Sequence, residues 1–563
     1  MSARPLLLLC VVAGLTACQN PPSADGNQTE TDSGESSSTS SDDAETGGVC
    51  EPGQTSCADP STLDTCAPSG QAWSSTACEG GQVCDACAAD DGVGGCLAAC
   101  VDPCAQPRGS TGCSFYATGL YQATLPPGVM SSSDAIVVVN PDPDHTATVE
   151  LYWNSPFLGG EALEANATLA PGESAVLDLA SGLTSDMGPS ETSVFRSGGV
   201  YHVVSDFPIG AHLHAPYESV NANASTLLVP ERSLGSSHVV FNHGAWVDPN
   251  YFVVIAIEDD TAVTWQPSVE TAGDDMPVPF VAQGATGMMV LDRFDNLRVE
   301  TSASLGRPKC EQDLSGTLVT ADKPIWVLSA VRGLRLPWCG GSMVPGCPTI
   351  VDSACDFGSD FAIEQSLPLA VWGTQYVGAH APVRGSESHY WRIYAGADNV
   401  TVTTDPPQPG TPISLAARGG WAELVLPTGT NVVFAGDGPF MPVQYLTGHH
   451  DAQTDMGSPE MIQGVPSDRF LDRYVFVTAA SYEQHFAQVT RAAGGAEVEI
   501  DGDAVAGWES VGAWEVANVA VSEGAHQVTS TQAFGLSQYG YSQHVGAADN
   551  SSAYAYVVGL SLD

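Results

Sequence analysis

The sequence predicts an all-β body of tandem antiparallel β-sandwich-like repeats, preceded by a small disulfide-rich module and a disordered tether. Three observations lead to this fold class. From residue 115 onward, short β-branched and aromatic runs alternate with clusters of Gly, Pro, Asn and Asp, as strands and turns do. One strand–turn–strand pattern recurs along this body. Ten cysteines crowd into residues 50–113, where large apolar residues are scarce.

The chain opens with the layout of an export signal. Arg4 is followed by an apolar run from Leu6 to Ala17, which ends in small residues before Cys18. This ending resembles a bacterial lipobox, which implies removal of residues 1–17 and lipid on Cys18. An ordinary signal peptide and a short membrane anchor are the alternatives, although about 12 apolar residues fall well short of the roughly 20 that span a bilayer. Gln19, rather than Asp, follows Cys18, and the sorting rule of enteric bacteria then favours the outer membrane.

Residues 18–49 are expected to form a flexible acidic tether behind the lipidated cysteine. After Cys18 they contain no Lys, Arg or aromatic residue and many Ser, Thr, Asp and Glu. Such a segment cannot bury enough apolar surface to offset the entropy of ordering it. The whole chain of 563 residues carries a formal charge of −48, and its only lysines are Lys309 and Lys323. This charge argues against nucleic acid and anionic lipid as partners and suits cations or basic partners; solubility alone is the simpler explanation.

Fourteen cysteines follow Cys18, in two groups of even size, and we expect them to form disulfides in an oxidising compartment. The first group, in the module at residues 50–113, contains Cys50, Cys57, Cys66, Cys78, Cys84, Cys87, Cys96, Cys100, Cys104 and Cys113. The second contains Cys310, Cys339, Cys347 and Cys355. The CxxC at Cys84–Cys87 allows zinc as an alternative, but the spacings are irregular and no His lies between residues 19 and 144. The connectivity stays open.

A strand, then Asp-x-Pro-apolar, then another strand occurs three times in the body, at residues 206–209, 322–325 and 437–440. Residues 531–534, Thr-Gln-Ala-Phe, form a degenerate fourth copy. Asp and Pro suit a tight connection, because Asp bonds nearby backbone and Pro fixes its own φ. The pattern predicts four repeats, at residues 114–230, 231–365, 366–460 and 461–563. Each is large enough for its own sandwich, and a propeller-like ring of the repeats is the alternative.

The body resembles the N-terminal domain of IgGFc-binding protein, in the form found in bacterial, myxobacterial-type surface lipoproteins. The resemblance covers about residues 112–541. It rests on Gly112–Ala117, on the junction from Val203 to Pro230, on its repeat at Leu318–Arg332, and on Cys355 to Val377. It implies an extracellular all-β binding or adhesion module. The chain departs from the family at residues 118–121 and 221–225, so no ligand site is transferred.

The sequence contains no clear catalytic or metal-binding constellation. His449-His450-Asp451, with Asp455, lies in a loop that we expect to be solvated, and His212 and His214 share one face of a strand as a packed or surface pair. Residues 142–145 and 501–503 have the oxygen-rich look of calcium loops, but turns explain them better. We therefore expect no cofactor and no metal, with a weak calcium site as the alternative. Because 65 acidic residues provide countless pairs, a hydrolase stays the rival.

Tryptophans at 246, 265, 326, 372 and 391 fall mostly on predicted strands, where core packing is expected. Trp338 differs, because it lies in a long cysteine-rich insertion at residues 332–365, and such loops are usually functional. We predict Trp338 as a ligand-contacting residue. The predicted function is a non-enzymatic, lipid-anchored surface adhesin for an extracellular glycan or protein, which touches the membrane only through Cys18. A purely structural envelope spacer is the third alternative.

Overall fold

A computed structural model of the chain describes residues 50–59, 61–79, 82–90, 96–105, 109–120, 134–157, 159–180, 193–217, 223–244, 250–273, 277–302, 313–336, 360–480, 482–543 and 551–562. These residues form antiparallel β-sheets, with 3-10 turns and one short helical turn, α1 (His449–Ala452). None of the described helices has the length and apolar character needed to cross a membrane. The predicted all-β fold class is confirmed.

The N-terminal module consists of two small sheets held by disulfides. Its strands are β1 (Thr55–Asp59), β2 (Thr62–Cys66), β3 (Trp73–Ala77), β4 (Val83–Asp90) and β5 (Cys96–Val101). The bonds Cys50–Cys66, Cys57–Cys84 and Cys78–Cys100 lie within it, and Cys104–Cys113 ties it to the body. The segment has little apolar surface to bury, so these cross-links supply stability that a core would otherwise give.

The first repeat has two sheets that share one long bent strand. Its strands are β6 (Gly112–Ala117), β7 (Ala135–Val139), β8 (Ala147–Asn154), β9 (Glu161–Leu169), β10 (Ser174–Asp178), β11 (Val194–Ser197), β12 (Val200–His214) and β13 (Ser225–Leu227). The first half of β12 pairs with β6 and β8, and its second half pairs with β7 and β13. Strand β12 therefore passes from one sheet to the other.

The second repeat is a sandwich of a five-stranded and a four-stranded sheet. Its strands are β14 (Ser237–Val239), β15 (Tyr251–Ala256), β16 (Thr261–Gln266), β17 (Gly287–Leu291), β18 (Asp295–Glu300), β19 (Leu318–Ala321), β20 (Ile325–Leu334) and β21 (Asp360–Gln365). The sheet orders are β11-β18-β15-β20-β21 and β14-β19-β16-β17. Strand β11, which precedes β12 in the chain, is thus an edge strand of the second sandwich.

The third and fourth repeats follow the same plan. The third contains β22 (Gln375–Gly378), β23 (His389–Ala395), β24 (Val400–Asp405), β25 (Ile413–Leu415), β26 (Trp421–Leu426), β27 (Val432–Gly436), β28 (Phe440–Tyr445) and β29 (Met461–Gln463). The fourth contains β30 (Leu471–Val477), β31 (Gln484–Ala492), β32 (Val498–Ile500), β33 (Asp503–Ala504), β34 (Glu509–Val511), β35 (Trp514–Val521), β36 (Ala525–Tyr541) and β37 (Ala553–Val557). The two sheets of the third are β22-β27-β24-β25 and β26-β23-β28-β29. In the fourth, β36 pairs with β30 and β32 over its first half and with β31 and β37 over its second.

The Asp-x-Pro motif marks the point where each sandwich is crossed. It lies at the bend of β12, between β19 and β20, and between β27 and β28, where the chain leaves one sheet and enters the other. In each copy the Asp carboxylate accepts a hydrogen bond from the backbone N–H opposite it: Thr148 to Asp206 at 2.6 Å, Ala262 to Asp322 at 2.8 Å, and Thr401 to Asp437 at 2.7 Å. At each crossover the Asp side chain therefore supplies an acceptor for a backbone N–H of the neighbouring strand.

The degenerate fourth copy keeps this hydrogen bond by another route. Gln532, one position after the expected Asp, accepts the backbone N–H of Ala496 through its side-chain oxygen at 3.0 Å. Ala496 lies two residues before β32, and Thr148 is the second residue of β8, the corresponding strand of the first repeat. The longer amide side chain therefore replaces the carboxylate without an Asp or a Pro.

The four sandwiches also close into a ring. The last strand of each repeat faces inward: β13 lies against β21 and β37, and β29 lies against β21 and β37. These four contacts form a closed circuit. The sandwich repeats and the ring, which were alternatives in the sequence analysis, thus occur in the same molecule. Each unit is a two-sheet sandwich rather than a single-sheet blade, and the four units form a ring.

Some strands are apolar along their whole length because they pack on both faces, inside their own sandwich and against a neighbouring repeat. All six residues of β15 are buried. Phe252 and Val254 point into the sandwich core of the second repeat, whereas Tyr251 and Val253 belong to the core shared between repeats. Successive side chains of a strand point to opposite faces, so a strand that lies between two cores has no polar face. Burying each large side chain stabilises the fold by about 1.5–3 kcal/mol.

Two glutamines join neighbouring repeats at the ring centre. The side-chain oxygen of Gln365 accepts the N–H of Val229 at 2.9 Å, and that of Gln463 accepts the N–H of Leu367 at 3.2 Å. Each glutamine lies three residues before the proline that ends its own repeat, Pro368 or Pro466. Each donor lies directly before the proline that ends the preceding repeat, Pro230 or Pro368. The pairing of β29 with β28 places Gln463 in the third sandwich, beyond the predicted boundary at residue 460, and Leu367 lies two residues after β21 of the second. Each glutamine therefore bonds to the repeat before its own.

Candidate functional site

The first and fourth repeats meet at what we call the closing seam of the ring. A cleft of about 530 Å³ lies where the disulfide module meets this seam. We call it the seam cleft. Three separate parts of the chain line it: Val83, Cys84, Val101 and Pro103 of the module with Gly109 and Thr111 behind it; Pro141–His145, Phe207 and Pro208 of the first repeat; and Leu471–Arg473 and Ser561 of the fourth. The cleft exists only when the module, the first repeat and the fourth repeat are together.

The turn at residues 140–145 forms one wall of the seam cleft. Asp142 Oδ1 accepts the backbone N–H groups of Asp144 and His145, both at 2.8 Å, and lies 2.9 Å from Nδ1 of His145. The Asn140 amide donates to the carbonyls of His145 and Leu169 at 2.7 and 3.0 Å. Asp142 is thus engaged by its own turn, which agrees with the turn interpretation of this oxygen-rich segment.

The Asp-x-Pro crossover of the first repeat forms the apolar part of the same wall. The ring of Phe207, the x residue of the motif, stacks on the imidazole of His145 with centroids 4.5 Å apart. Pro208 lines the cleft beside it. The bend that carries β12 from one sheet to the other therefore also places an aromatic pair at the cleft.

The fourth repeat supplies the opposite wall through the start of β30. Leu471 lines the cleft and donates its N–H to the Tyr474 hydroxyl at 2.9 Å, and that hydroxyl donates to the carbonyl of Phe534 at 2.6 Å. The guanidinium of Arg473 donates to the side-chain oxygen of Gln527 at 2.8 and 3.3 Å. The neighbouring carboxylate of Asp472 is exposed on the cleft rim.

The contact between the first and fourth repeats contains a buried histidine pair. His212 and His214 lie on one face of β12 and are each 2% exposed, as the packed interpretation predicts. Tyr556 of the fourth repeat packs against both, with centroids 4.3 and 5.9 Å away. Burial lowers the pKa of His212 to about 4 and that of His214 to about 3, and the His212 ring adds to the lowering at His214. Both rings are neutral at physiological pH.

Buried carboxyl groups occupy the ring centre. Glu364 on β21 and Glu460 just before β29 are fully buried. Burial raises the pKa of each well above its ordinary value, and at Glu460 the nearby Asp360 and Glu364 add to the effect. The side-chain nitrogen of Gln463 donates to Glu364 Oε1 at 2.5 Å and opposes the shift. These groups are enclosed between inner strands, away from the seam cleft.

Several residues singled out in the sequence, as sites or as core tryptophans, fall outside the described part of the chain. They are Cys18, the tryptophans Trp246 and Trp338, and the cysteines Cys310, Cys339, Cys347 and Cys355. The side chains of Cys87 and Cys96 are also outside it, although their strands are described. The other eight cysteines of the module form the four disulfides given above.

The remaining tryptophans and the double-histidine segment can be placed. Trp265, Trp326, Trp372 and Trp391 are 0–6% exposed, so they pack in cores as expected. The segment His449-His450-Asp451, with Asp455, was expected to be a solvated loop, and this expectation was wrong for His449. Residues 449–452 form α1, and His449 is 4% exposed with Nδ1 2.8 Å from the Ser551 hydroxyl. Asp451 is half-buried and Asp455 is exposed. The contact with Ser551 of the fourth repeat buries His449, which local composition alone does not indicate.

Asp501-Gly502 joins β32 to β33 as a two-residue hairpin turn. Both residues have positive φ, 53° and 86°, as the Asp-Gly pair of a type I′ turn requires. Asp501 Oδ1 accepts the N–H of Gln527 at 2.9 Å, and its Oδ2 lies 2.6 Å from Nδ1 of His526. Within the described ranges, no group of three or more His, Cys, Asp or Glu is arranged to hold a metal ion.

Sequence reasoning missed the seam cleft and the inter-repeat glutamines. The cleft joins residues 83 to 561, and no local pattern reveals such a combination. The glutamines left a weak signal, because Gln-x-x-Pro occurs at 365–368 and again at 463–466. Aligning the repeats on Pro230, Pro368 and Pro466 would have revealed it.

Comparison with known proteins places this architecture in a family. No curated protein matches the chain. A family model described as IgGFc binding protein matches residues 224–540, from just before β13 to near the end of β36. The match begins later than the resemblance seen in the sequence, so the opening motif at Gly112–Ala117 lies outside it. It covers more than half of the 563 residues, and the chain belongs to the IgGFc-binding protein family.

Proposed function

We propose that this protein is a lipid-anchored surface protein that binds an extracellular protein or glycan through its β ring, without catalysing a reaction. The matched family is named for binding, and we carry over binding in general rather than recognition of an antibody. Fold membership alone does not specify a ligand, so the proposal has to rest on a site.

The seam cleft is the observation that carries the proposal. Its volume lies within the range of about 300–1,000 Å³ typical of ligand sites, and it combines apolar walls with a few polar groups. It also lies at the junction of three structural units, where binding sites are common. A purely structural spacer needs no such opening at its closing seam.

The anchor is proposed from the sequence. A lipobox ending at Cys18 and an acidic tether to residue 49 would hold the module and the ring away from a bacterial outer membrane. Cys18→Ala should release the protein from the membrane fraction and abolish incorporation of a labelled fatty acid. Continued membrane association and labelling of this variant would contradict the anchor.

The binding function is tested with the full chain purified in non-ionic detergent and applied to arrays of extracellular proteins and glycans, with and without calcium. We expect saturable binding to at least one component. Trp338→Ala tests the residue chosen from sequence, and Trp265→Phe is a matched control because Trp265 is 1% exposed in the second sandwich. Loss with the first variant and retention with the second would support a ligand contact at Trp338.

A folded, oxidised protein that binds nothing on either array would contradict the proposed function and favour a spacer. Circular dichroism and a thiol assay establish folding and oxidation beforehand. Binding only with calcium would revive the calcium alternative and direct attention to the oxygen-rich turns.

A further inference from the structure

We propose that the seam cleft binds a basic, extended segment of a partner protein, with a lysine or arginine side chain entering the cleft. This inference rests on the proposed binding function and specifies its ligand chemistry. Three features of the lining lead to it: an excess of hydrogen-bond acceptors, uncompensated carboxylates on the rim, and apolar walls on both sides.

The lining is rich in acceptors and poor in donors. Four prolines line it, each with a carbonyl and no N–H: Pro103, Pro141, Pro143 and Pro208. Asp142, Asp144 and Asp472 add carboxylates, which only accept when ionised. A ligand that satisfies such a surface must bring donors, and an ammonium or guanidinium group brings the most.

Two of these carboxylates have no cationic partner among the described residues. Asp144 and Asp472 are exposed on opposite walls, and among the described residues neither accepts a side-chain hydrogen bond or pairs with a cation. Among the described lining residues, Arg473 is the single lysine or arginine, and its guanidinium is directed to Gln527. The rim therefore presents negative charge from two different repeats.

The nearby arginines are engaged with backbone carbonyls. Arg232 donates to Thr111 and Gly109 at 2.6 and 3.1 Å, and Arg469 donates to Ser561 at 3.1 Å. These contacts hold two lining segments, at residues 109–111 and at Ser561. Among the described residues, neither arginine pairs with Asp144 or Asp472.

The apolar walls fit the stem of a long cationic side chain. Val83 and Val101 of the module face a cleft shared with Phe207 and Leu471 of the body. Lysine and arginine bury their methylene stems along apolar surface while their charged ends remain near polar groups. A lysine or arginine side chain thus uses both parts of this lining.

Charge also argues against two other occupants of the cleft, namely the chain's own tether and a second copy of the protein. The tether, residues 19–49, has no Lys or Arg and many carboxylates, so it is repelled by the rim. A second copy carries the same formal charge of −48. Electrostatic complementarity steers encounter toward an opposite charge, and the fitting partner is a basic protein segment from outside this chain.

The test uses the full chain in non-ionic detergent and a fluorescein-labelled peptide of alternating lysine and alanine, with a glutamate–alanine peptide as control. Fluorescence anisotropy at low ionic strength gives the Kd. We expect the lysine peptide to bind, the glutamate peptide not to bind, and added salt to weaken binding because it screens exposed charges.

Two double variants with the same change in charge locate the site. Asp144→Asn with Asp472→Asn removes the rim charges, and Glu497→Gln with Asp503→Asn removes two exposed charges of the fourth repeat that do not line the cleft. At about 0.5 kcal/mol for each exposed charge pair, removing the two rim charges should weaken affinity about fivefold. The control variant should change the Kd by less than about twofold. All four positions are exposed and the substitutions isosteric, so the fold is retained.

Equal effects of the two double variants would overturn the inference, because they would show attraction to the whole acidic chain. Absence of lysine-peptide binding would overturn it as well. Neither result affects the binding function, which the arrays judge separately. An array ligand whose binding is unchanged by Asp144→Asn with Asp472→Asn leaves that function standing and the inference refuted.

Discussion

Gln463→Ala should open the seam between the second and third repeats. Gln463 is 3% exposed and makes three hydrogen bonds across this seam. Its oxygen accepts the N–H of Leu367 at 3.2 Å, and its nitrogen donates to the carbonyl of Gln365 at 2.8 Å and to Glu364 Oε1 at 2.5 Å. One side chain thus serves two main-chain groups and one buried carboxyl group of the neighbouring repeat.

The expected cost follows from the groups that lose this partner. Leu367 and Gln365 are each 1% exposed, so water does not replace the missing amide. A buried polar group without a partner costs about 1–3 kcal/mol, and two main-chain groups together therefore cost about 2–6 kcal/mol. Glu364 loses a donor in addition, and the shortened side chain leaves a cavity.

Hydrogen exchange measured by mass spectrometry on peptides that cover β21 and β29 provides a local assay. A loss of 2 kcal/mol corresponds to exchange about thirtyfold faster through local opening. Gln484→Ala is the matched control, because Gln484 is an exposed strand residue whose side chain makes no hydrogen bond among the described residues. Unchanged protection of both strands in Gln463→Ala would refute the view that this amide joins the repeats.

Three further predictions follow from other contacts. Because burial lowers the pKa of His212 to about 4 from 6.5, the folded protein binds fewer protons than the unfolded chain, so stability is lost as pH falls from about 6.5 to 4. His212→Gln should remove about 3 kcal/mol of that loss, measured by urea denaturation at pH 7 and pH 4, and equal losses in both proteins would contradict the assignment. Gly373→Ala would place the new Cβ 2.6 Å from the Cβ of Pro466, which is too close for two carbon atoms that are not bonded. This overpacking between the start and the end of the third repeat should lower the free energy of unfolding by about 1–3 kcal/mol. An unchanged melting temperature would show that the two segments move apart at no cost. Asp437→Ala should cost about 1 kcal/mol and speed exchange of the Thr401 amide, whereas Asp437→Asn keeps an acceptor and should cost less; identical exchange in the two variants would refute the role of this acceptor.

Strand positions were predictable because they depend on local alternation and turn residues. Strands β7 and β15, for example, coincide with β-branched and aromatic runs of the kind that predicted strands from residue 115 onward. The Asp-x-Pro copies correctly revealed a repeated body. Their role as crossovers between sheets was not predictable, because sheet membership depends on pairing with strands far away in the chain. Pairing of β12 with β8 on one side of Pro208 and with β7 on the other leaves no local trace.

The seam cleft was beyond sequence reasoning for the same physical reason. Asp142 and Asp144 were noticed as oxygen-rich turn residues, but nothing local indicated that Asp472 lies across a cleft from them. Long-range closure of the ring brings the first and fourth repeats together, and the Cys104–Cys113 disulfide ties the module to the strand beside them. The site is thus a product of ring closure.

The irregular fourth repeat is best understood as the piece that closes the ring. Just after each of the inner strands β13, β21, β29 and β37, one backbone N–H donates to the neighbouring strand of the same repeat. The residue two positions after this donor is Pro230, Pro368 or Pro466 in the first three repeats and Leu560 in the fourth. A proline there has no N–H, but Leu560 donates its N–H to the hydroxyl of Ser110 at 3.3 Å. Ser110 belongs to the segment that leads from the module into β6.

Other departures of the fourth repeat serve the same seam. A Cβ on Gly559 would lie 2.6 Å from the Ser110 hydroxyl, and a Cβ on Gly109 would meet the Leu560 carbonyl at 2.9 Å. Only glycines allow these backbones to approach so closely. Where the first and fourth repeats meet, Leu560 thus stands in the place of the proline, Tyr556 packs against His212 and His214, and residues 109–110 contact Gly559 and Leu560. Divergence of the last copy from the pattern of the first three is therefore the expected consequence of joining a linear array of repeats into a closed ring, and it concentrates the non-repeating chemistry of the molecule beside the seam cleft.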